Sequence, residues 1–130
     1  MNQGLSKDER LKSRKQITKL FSKNSNVFSY PFKFVFQEHD FDNTFPVQLL
    51  ISVSKRTFKH AVDRNHMKRL IRESYRKNKL MIYEPLQEKE SKIFLGIIFV
   101  GKEIMDQKKI ETGMKKGLKK LAIEIQKKAN

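Results

Sequence analysis

The stretch DRNHMKRLIRESYRKNK, residues 63–79, carries seven Lys or Arg side chains and only two acids. Four of these cations recur at every fourth position, namely Arg64, Lys68, Arg72 and Arg76. On a helix this spacing places them along one side, where like charges repel by roughly a few tenths of a kcal/mol per pair. A guanidinium group offers a planar fork of N–H donors that matches the oxygens of a phosphate. The chemistry that this stretch can perform is therefore to hold a polyanion.

Other constellations that would carry chemistry are missing from the sequence. It has no Cys, which excludes disulfides and Cys-based metal sites. Its three histidines, His39, His60 and His66, lack the spacing of a zinc-binding motif. There is no Ser/His/Asp arrangement and no Gly-rich phosphate loop, and acids such as Asp40 and Asp42 lie in an expected loop. The sequence therefore predicts no catalytic site and no metal site.

The overall charge supports the same conclusion. Lys and Arg number 29 against 14 Asp and Glu, a net charge of +15 over 130 residues, and this excess predicts association with nucleic acid. The longest apolar runs, such as 97–100, fall far short of the roughly 20 residues of a membrane span. The charged N-terminus lacks the apolar segment of a secretory signal. We expect a cytoplasmic protein with one domain at 1–130, in which residues 1–12 could be flexible.

Hydrophobic periodicity predicts the elements that position these cations. A capping box that begins at Ser13, followed by Ile17, Leu20 and Phe21 on one face, predicts a short first helix. The later elements are expected as a strand at 27–38, a turn at 39–46, a strand at 47–54, a helix at 60–78, a connection at 80–91, a strand at 92–101 and a helix at 107–128. This α-β-β-α-β-α order predicts an α+β fold, an α/β sandwich with a mixed, mostly antiparallel sheet.

Within that sheet, the first two strands are expected to form an antiparallel pair, and the apolar third strand is expected to be central. Pro31 lacks a backbone donor, which favours an edge or a bulge at the start of the first strand. Five aromatic residues of that strand share one parity: Phe28, Tyr30, Phe32, Phe34 and Phe36. Such a face usually belongs to the core, and the alternative is a stacking platform for nucleic acid.

A helical projection at about 100° per residue divides the basic helix into two faces. The buried stripe is expected to comprise Asp63, Met67, Leu70, Ile71 and Ser74. The opposite, acid-free face is expected to comprise Arg64, Asn65, Lys68, Arg69, Arg72 and Arg76, with His66 at its margin. The last helix, which Asp106 can cap, is expected to carry one apolar face made of Ile110, Met114, Gly117, Leu118, Leu121 and Ile125. The rest of that helix carries Lys with interspersed Glu111 and Glu124, which is typical of a solvated outer face.

The run SVSKRTFKHAVDRNHMKRLIRESYR, residues 52–76, resembles the signature of the bacterial ribonuclease P protein subunit. In that family a strand ends in S-V-S-K-K, and the next helix carries A-V-x-R-N-R-x-K-R-x-x-R-E. The matching residues here are Ser52-Val53-Ser54-Lys55-Arg56, Ala61-Val62, Arg64-Asn65, Lys68-Arg69 and Arg72-Glu73. The likeness extends to Arg10-Leu11-Lys12 and to the basic C-terminal helix, so it covers most of the chain.

The resemblance implies a strand–helix–strand unit with a rare left-handed crossover, in place of the right-handed one that is general. It implies a catalytic RNA as partner, which removes the 5′ leader of precursor tRNA by hydrolysis with Mg²⁺ held mainly by the RNA and the substrate. The chain would then be the accessory subunit of an endoribonuclease. It would have no catalytic residue of its own, and no obligate protein partner or membrane is implied.

The resemblance also assigns binding residues. Those expected to contact the catalytic RNA are Lys55, Arg56, Arg64, Asn65, His66, Lys68, Arg69, Arg72 and Arg76. Those expected to line a cleft for the leader are Ile17, Phe21, Lys33 and Val35. Three positions depart from the family: His66 replaces a permanently charged Arg, and Ile17 and Val35 replace aromatic residues that are common there. Aromatic stacking in the cleft should therefore be weaker in this chain.

Two other functions remain open at this point. A ribosomal or general RNA-binding protein without a processing role would show the same basic helix. A protein-only nuclease would need clustered carboxylates to hold metal ions, and the sequence offers no such pattern.

Overall fold

A computed structural model describes residues 17, 25–38 and 45–127 of the chain. Its elements, in chain order, are β1 (Ser25–Ser29), β2 (Phe32–Glu38), β3 (Val47–Val53), α1 (Ala61–Asn78), α2 (Leu80–Glu88), β4 (Ile93–Phe99) and α3 (Gln107–Lys127). Ile17 is helical. Phe21, Leu20, the capping box at Ser13 and most of the expected 39–46 turn lie outside the described residues.

The four strands form one mixed sheet in the order β1-β2-β4-β3. β1 and β2 are antiparallel, β2 and β4 are antiparallel, and β3 and β4 are parallel. The α+β class, the mostly antiparallel sheet and the central position of the apolar strand β4 are therefore confirmed. The expected direct pairing of the first two predicted strands is wrong, because β4 lies between β2 and β3 and bonds to both.

The single strand expected at 27–38 is two strands joined by a tight turn at Tyr30 and Pro31. The turn reverses the chain, so aromatic residues of the same parity end up in different environments. Phe32, Phe34 and Phe36 are buried in the core, whereas Phe28 and Tyr30 are 53% and 60% exposed. The core interpretation of the aromatic face is thus right for β2 and wrong for the residues before the turn.

The connection expected at 80–91 contains the helix α2. Pro85 lies inside this helix although proline lacks a backbone donor, which disfavours a helix at that point. The helix nevertheless buries Ile82, Tyr83 and Leu86, and it packs against α3. Burial of three large apolar side chains at about 1.5–3 kcal/mol each outweighs the local penalty of one proline, about 3 kcal/mol.

The core lies between one face of the sheet and the helices. α3 packs on β1, β2, α1 and α2, and α1 packs on β3. Asp106 caps α3 as expected, since its Oδ1 accepts from the Lys109 backbone N at 2.9 Å. The expected α3 stripe is also confirmed, with Ile110, Met114, Gly117, Leu118, Leu121 and Ile125 all buried. No helix in the described part of the chain is long and apolar enough to cross a membrane.

Gly117 sets the distance between α3 and the sheet. A Cβ atom at this position would overlap the ring of Phe34, which is fully buried. We expect Gly117→Ala to lower the free energy of unfolding by about 1–3 kcal/mol, because overpacking outweighs the roughly 1 kcal/mol gain in helix propensity.

Urea denaturation of Gly117→Ala checks this expectation. The same substitution in a Phe34→Leu background should cost less, because the smaller side chain vacates the volume that the new methyl group needs. An equal loss in both backgrounds would show that the Phe34 ring is not the obstacle.

Candidate nucleic-acid interface

The basic side chains of α1 are held outward by what the helix buries. Met67, Ile71, Ser74 and Tyr75 are buried against β3 and α3. Ser74 is also fixed by a hydrogen bond, since its Oγ donates to Glu111 Oε2 at 3.1 Å. These contacts fix the rotation of the helix about its axis, and with it the set of side chains that reach solvent.

The buried stripe is rotated relative to the sequence expectation. Tyr75 is fully buried and was not predicted, whereas Leu70 and Asp63 are only partly buried. The rotation places Arg64 and Lys68 near the edge of the stripe, where both are partly buried. It also exposes His66, which was expected at the margin and instead lies on the outward face together with Asn65.

Arg64 fastens the loop between β3 and α1. Its Nη1 donates to the carbonyl oxygens of Phe58 at 2.8 Å and Lys59 at 3.0 Å. Phe58 is itself buried, with its ring centroid 5.9 Å from that of Phe99. Arg64 therefore has a structural role that the spacing of the cations did not reveal, in addition to its predicted role toward phosphate.

The fastened loop carries Lys55 and Arg56, both exposed. The Ser54 side chain accepts from the Arg56 backbone N at 3.1 Å, and the Ser54 carbonyl accepts from the Phe58 backbone N at 3.0 Å. These bonds form a compact turn directly before α1. The turn places the two loop cations shortly before the N-terminus of α1 in the chain.

One cation of the helix is engaged by an acid. Arg76 donates to both carboxylate oxygens of Glu73 and forms an ion pair with it. This hydrogen bond lowers the pKa of Glu73 below its ordinary value, and it raises the pKa of Arg76. The pair therefore persists at neutral pH and is lost only as the pH falls through the lowered pKa of Glu73. The expectation of an acid-free face is wrong at this end of the helix.

A groove of about 640 Å³ runs along the outward side of α1. Its described lining residues are Val62, Asp63, Asn65, His66, Arg69 and Arg72. Four of the residues predicted to contact RNA thus share one open surface: Asn65, His66, Arg69 and Arg72. An Asn, a His and two guanidinium groups provide donors for phosphate oxygens and for base edges.

The second face of the sheet carries a different set of residues. Val35 and Phe94 are buried there, and Ile17, Leu50 and Ile98 pack against them. The helical residue Ile17 therefore covers the middle of this face. Of the four residues predicted for the leader cleft, Ile17 and Val35 are in contact through this cluster, Lys33 is exposed nearby, and Phe21 lies outside the described residues.

A row across the end of this face remains open. Strand register places Phe28 beside Lys33, Lys33 beside Ile98, and Ile98 beside Ser52. Because paired residues of neighbouring strands point to the same side, the exposed Phe28 ring and the exposed Lys33 side chain adjoin each other on this face. Sequence reasoning favoured the core for Phe28, with a stacking platform as the alternative, because its parity matched the core residues of β2. The signal that could have shown the exposure of Phe28 is the Tyr30-Pro31 pair, which marks a turn.

The described residues contain no group of three or more His, Cys, Asp or Glu that could hold a metal ion. The cations lie on the outward face of α1 and in the loop before it, and the exposed Phe28 ring lies on the second face of the sheet.

Comparison with known proteins gives one consistent result. A family model described as Ribonuclease P matches residues 5–122. A protein named Ribonuclease P protein component from Porphyromonas gingivalis is 35% identical over 119 residues, which are 92% of this chain and 87% of that protein. Another of that name from Chlorobium phaeobacteroides is 37% identical over 82 residues, 61% of this chain and 56% of its own length.

Solved structures show the same fold. The RNase P protein of Staphylococcus aureus superposes with a TM-score of 0.67 at 24% identity, covering 87% of this chain and 94% of its own. That of Thermotoga maritima superposes with a TM-score of 0.68 at 23% identity, covering 86% of this chain and 96% of its own.

The double hydrogen bond of Arg64 predicts a local effect on the loop. Arg64→Ala should speed amide hydrogen exchange in residues 54–60 by about thirtyfold, because two bonds worth about 1 kcal/mol each are lost. Arg72→Ala removes the same charge without touching the loop and should leave that exchange unchanged. Mass spectrometry of pulse-labelled peptides measures this exchange. Equal exchange rates in the two variants would contradict the role of Arg64 in fastening the loop.

Proposed function

The chain belongs to the ribonuclease P protein family, and from this premise we propose that it assists the removal of the 5′ leader of precursor tRNA by a catalytic RNA. The chain would be the accessory protein subunit of this endoribonuclease and would work in the cytoplasm. Hydrolysis would take place on the RNA, with Mg²⁺ held mainly by the RNA and the substrate. Family membership disfavours the alternative of a general RNA-binding protein without a processing role.

The observation that carries this proposal is the outward face of α1. Arg69, Arg72, Asn65 and His66 lie along one groove, and the Arg64-fastened loop adds Lys55 and Arg56 at one end. Cations held on a packed helix neutralise phosphates without a large loss of side-chain and backbone freedom on binding. Each phosphate they neutralise releases counterions from the RNA, so the affinity depends steeply on salt. We assign this surface to the catalytic RNA.

The open row on the second sheet face suits a single-stranded leader. The exposed ring of Phe28 offers a stacking surface for a base, and the adjacent Lys33 can hold the phosphate next to it. Ile17 and Val35 supply an apolar floor rather than stacking partners, since Val35 is 2% exposed. The leader would therefore depend on one aromatic ring, Phe28, in the described part of this surface.

The two surfaces meet at the end of β3. Ser52 belongs to the open row, and the loop that follows it carries Lys55 and Arg56 toward α1. The protein would in this way hold the leader beside the catalytic RNA. Because phosphate repulsion between the two RNAs is lowered there, less Mg²⁺ would be needed for cleavage.

Reconstitution tests the function. The chain, the catalytic RNA from the same organism and a precursor tRNA are combined at low Mg²⁺, and cleavage is followed on a gel. We expect cleavage to be faster with the chain than without it, and the advantage to shrink as Mg²⁺ is raised. No gain at any Mg²⁺ concentration would reject the proposed function, and cleavage by the chain without the RNA would identify a protein nuclease instead.

Two substitutions on neighbouring residues should change RNA affinity in opposite directions. Arg72→Ala should weaken binding of the catalytic RNA and lower the slope of log affinity against log salt by about one. Glu73→Gln should strengthen binding, because it releases Arg76 from its ion pair. Filter binding over a salt series measures both effects.

Glu84→Gln is the matched control for Glu73→Gln, since Glu84 is exposed and belongs to α2 rather than to the basic helix α1. It changes the net charge equally and frees no arginine. Equal gains from the two glutamine variants would mean that overall charge, and not the release of Arg76, sets the affinity.

A further inference from the structure

A second basic pocket lies where the β1–β2 turn rests on α3. The turn approaches the helix closely at Gly113, since Ser29 Oγ donates to the Gly113 carbonyl at 3.2 Å. A Cβ atom on Gly113 would come within 2.6 Å of Pro31 Cδ and 2.8 Å of the Tyr30 carbonyl oxygen. Beside this contact the turn and the helix enclose a pocket of about 350 Å³.

The lining of this turn pocket combines an apolar interior with a cationic rim. Pro31, Gly113 and Met105 contribute apolar surface, and Tyr30 adds an aromatic ring that is 60% exposed. Its described lining also includes Thr112 and three lysines, Lys108, Lys109 and Lys116, and no carboxylate. The α3 lysines had been expected to be only a solvated outer face. The structure brings three of them around an exposed aromatic ring.

We propose that the turn pocket binds one unstacked nucleotide of single-stranded RNA, with its base against Tyr30 and its phosphates held by the lysines. An exposed ring flanked by cations is the combination that single-strand binding proteins use, because every base can stack and every linkage carries a charge. Among the residues that the structure describes, the rim has no acid to select a basic peptide, and lysines suit phosphates as point charges. The proposal rests on the proposed function in taking RNA as the polyanion.

The turn pocket is separate from the two surfaces assigned above. It is lined by the turn and by α3, on the side of the sheet that the helices cover, whereas the Phe28–Lys33 row lies on the other side. The α1 groove shares no described lining residue with it. Tyr30 and Phe28 therefore offer two exposed rings, two residues apart, for two different segments of RNA.

Photo-crosslinking tests the proposal on the full chain. The probe is a fluorescein-labelled oligouridylate of about eight nucleotides that carries 4-thiouridine, and cross-linked peptides are identified by mass spectrometry. We expect cross-links at Tyr30 and within residues 105–116, besides those on α1 and the Phe28–Lys33 row. Tyr30→Ala should lower the yield within 105–116 about tenfold, and Tyr30→Phe should retain it, because stacking needs only the ring. Phe28→Ala should lower only the yield on its own row.

The lysines are tested independently of the turn. Lys109→Gln with Lys116→Gln should lower the 105–116 cross-link and weaken its dependence on salt. The matched control, Lys119→Gln with Lys127→Gln, removes the same charge from α3 outside the pocket and should leave the cross-link unchanged. Equal losses in both pairs would overturn the assignment of the pocket lysines.

The remaining outcomes separate this inference from the proposed function. Cross-links confined to α1 and to the Phe28–Lys33 row would overturn the turn pocket and leave the proposed function standing. An absence of cross-links anywhere would overturn both. A 105–116 cross-link that an acidic, Phe-containing peptide displaces better than unlabelled oligouridylate does would assign the pocket to a protein partner and overturn the RNA proposal.

Discussion

The burial of Met67, Ile71 and Tyr75 is the constraint on which the rest of the binding surface depends. All three are fully buried between α1, the sheet and α3, and each contributes about 1.5–3 kcal/mol relative to exposure. Together they oppose any rotation of α1, which would bring one of them into water. The cations on the opposite side are therefore held close together despite their mutual repulsion. Apolar packing, and not ion pairing, maintains the charge density that RNA binding requires.

The same packing distributes the cations among different tasks. Arg64, near the buried stripe, is turned toward the carbonyls of the preceding loop, and Arg76 is bound by Glu73. Arg69 and Arg72 face the groove. A run of similar residues in the sequence thus contains one that bonds to the preceding loop, one that pairs with an acid, and two that line the groove.

The sequence predicts a helix or strand correctly where the spacing of its apolar residues fits only one of the two. The apolar residues of α3 recur at helical spacing from Ile110 to Ile125, and all of those predicted are buried. β4 is apolar almost throughout, and it is central. The β1–β2 hairpin was missed because the aromatic residues keep the same parity on both sides of the Tyr30-Pro31 turn, which reads as one continuous strand. α2 was missed because its stability comes from packing against α3, which local sequence does not reveal.

For the binding surface, sequence reasoning could group the cations on α1 but could not locate each one. With Tyr75 buried, the centre of the buried stripe is rotated by about 40° from the expected position, which is less than the 100° between successive residues on a helical wheel. That small rotation determines whether His66 lies at the margin of the basic face or is fully on its exposed side. It also determines whether the Arg64 side chain points to solvent or donates to the carbonyls of the preceding loop. The exposure of Phe28 likewise follows from strand register, which depends on pairing between distant segments.

The central claim is that the outward face of α1 lies against the catalytic RNA. Because the chain has no Cys, Asn65→Cys provides a unique site at which to tether an iron chelate that cleaves nearby RNA through hydroxyl radicals. We expect strand breaks in the catalytic RNA from position 65 and none from the matched variant Glu88→Cys, whose exposed site lies at the end of α2. Cleavage from position 88 with none from position 65 would contradict it.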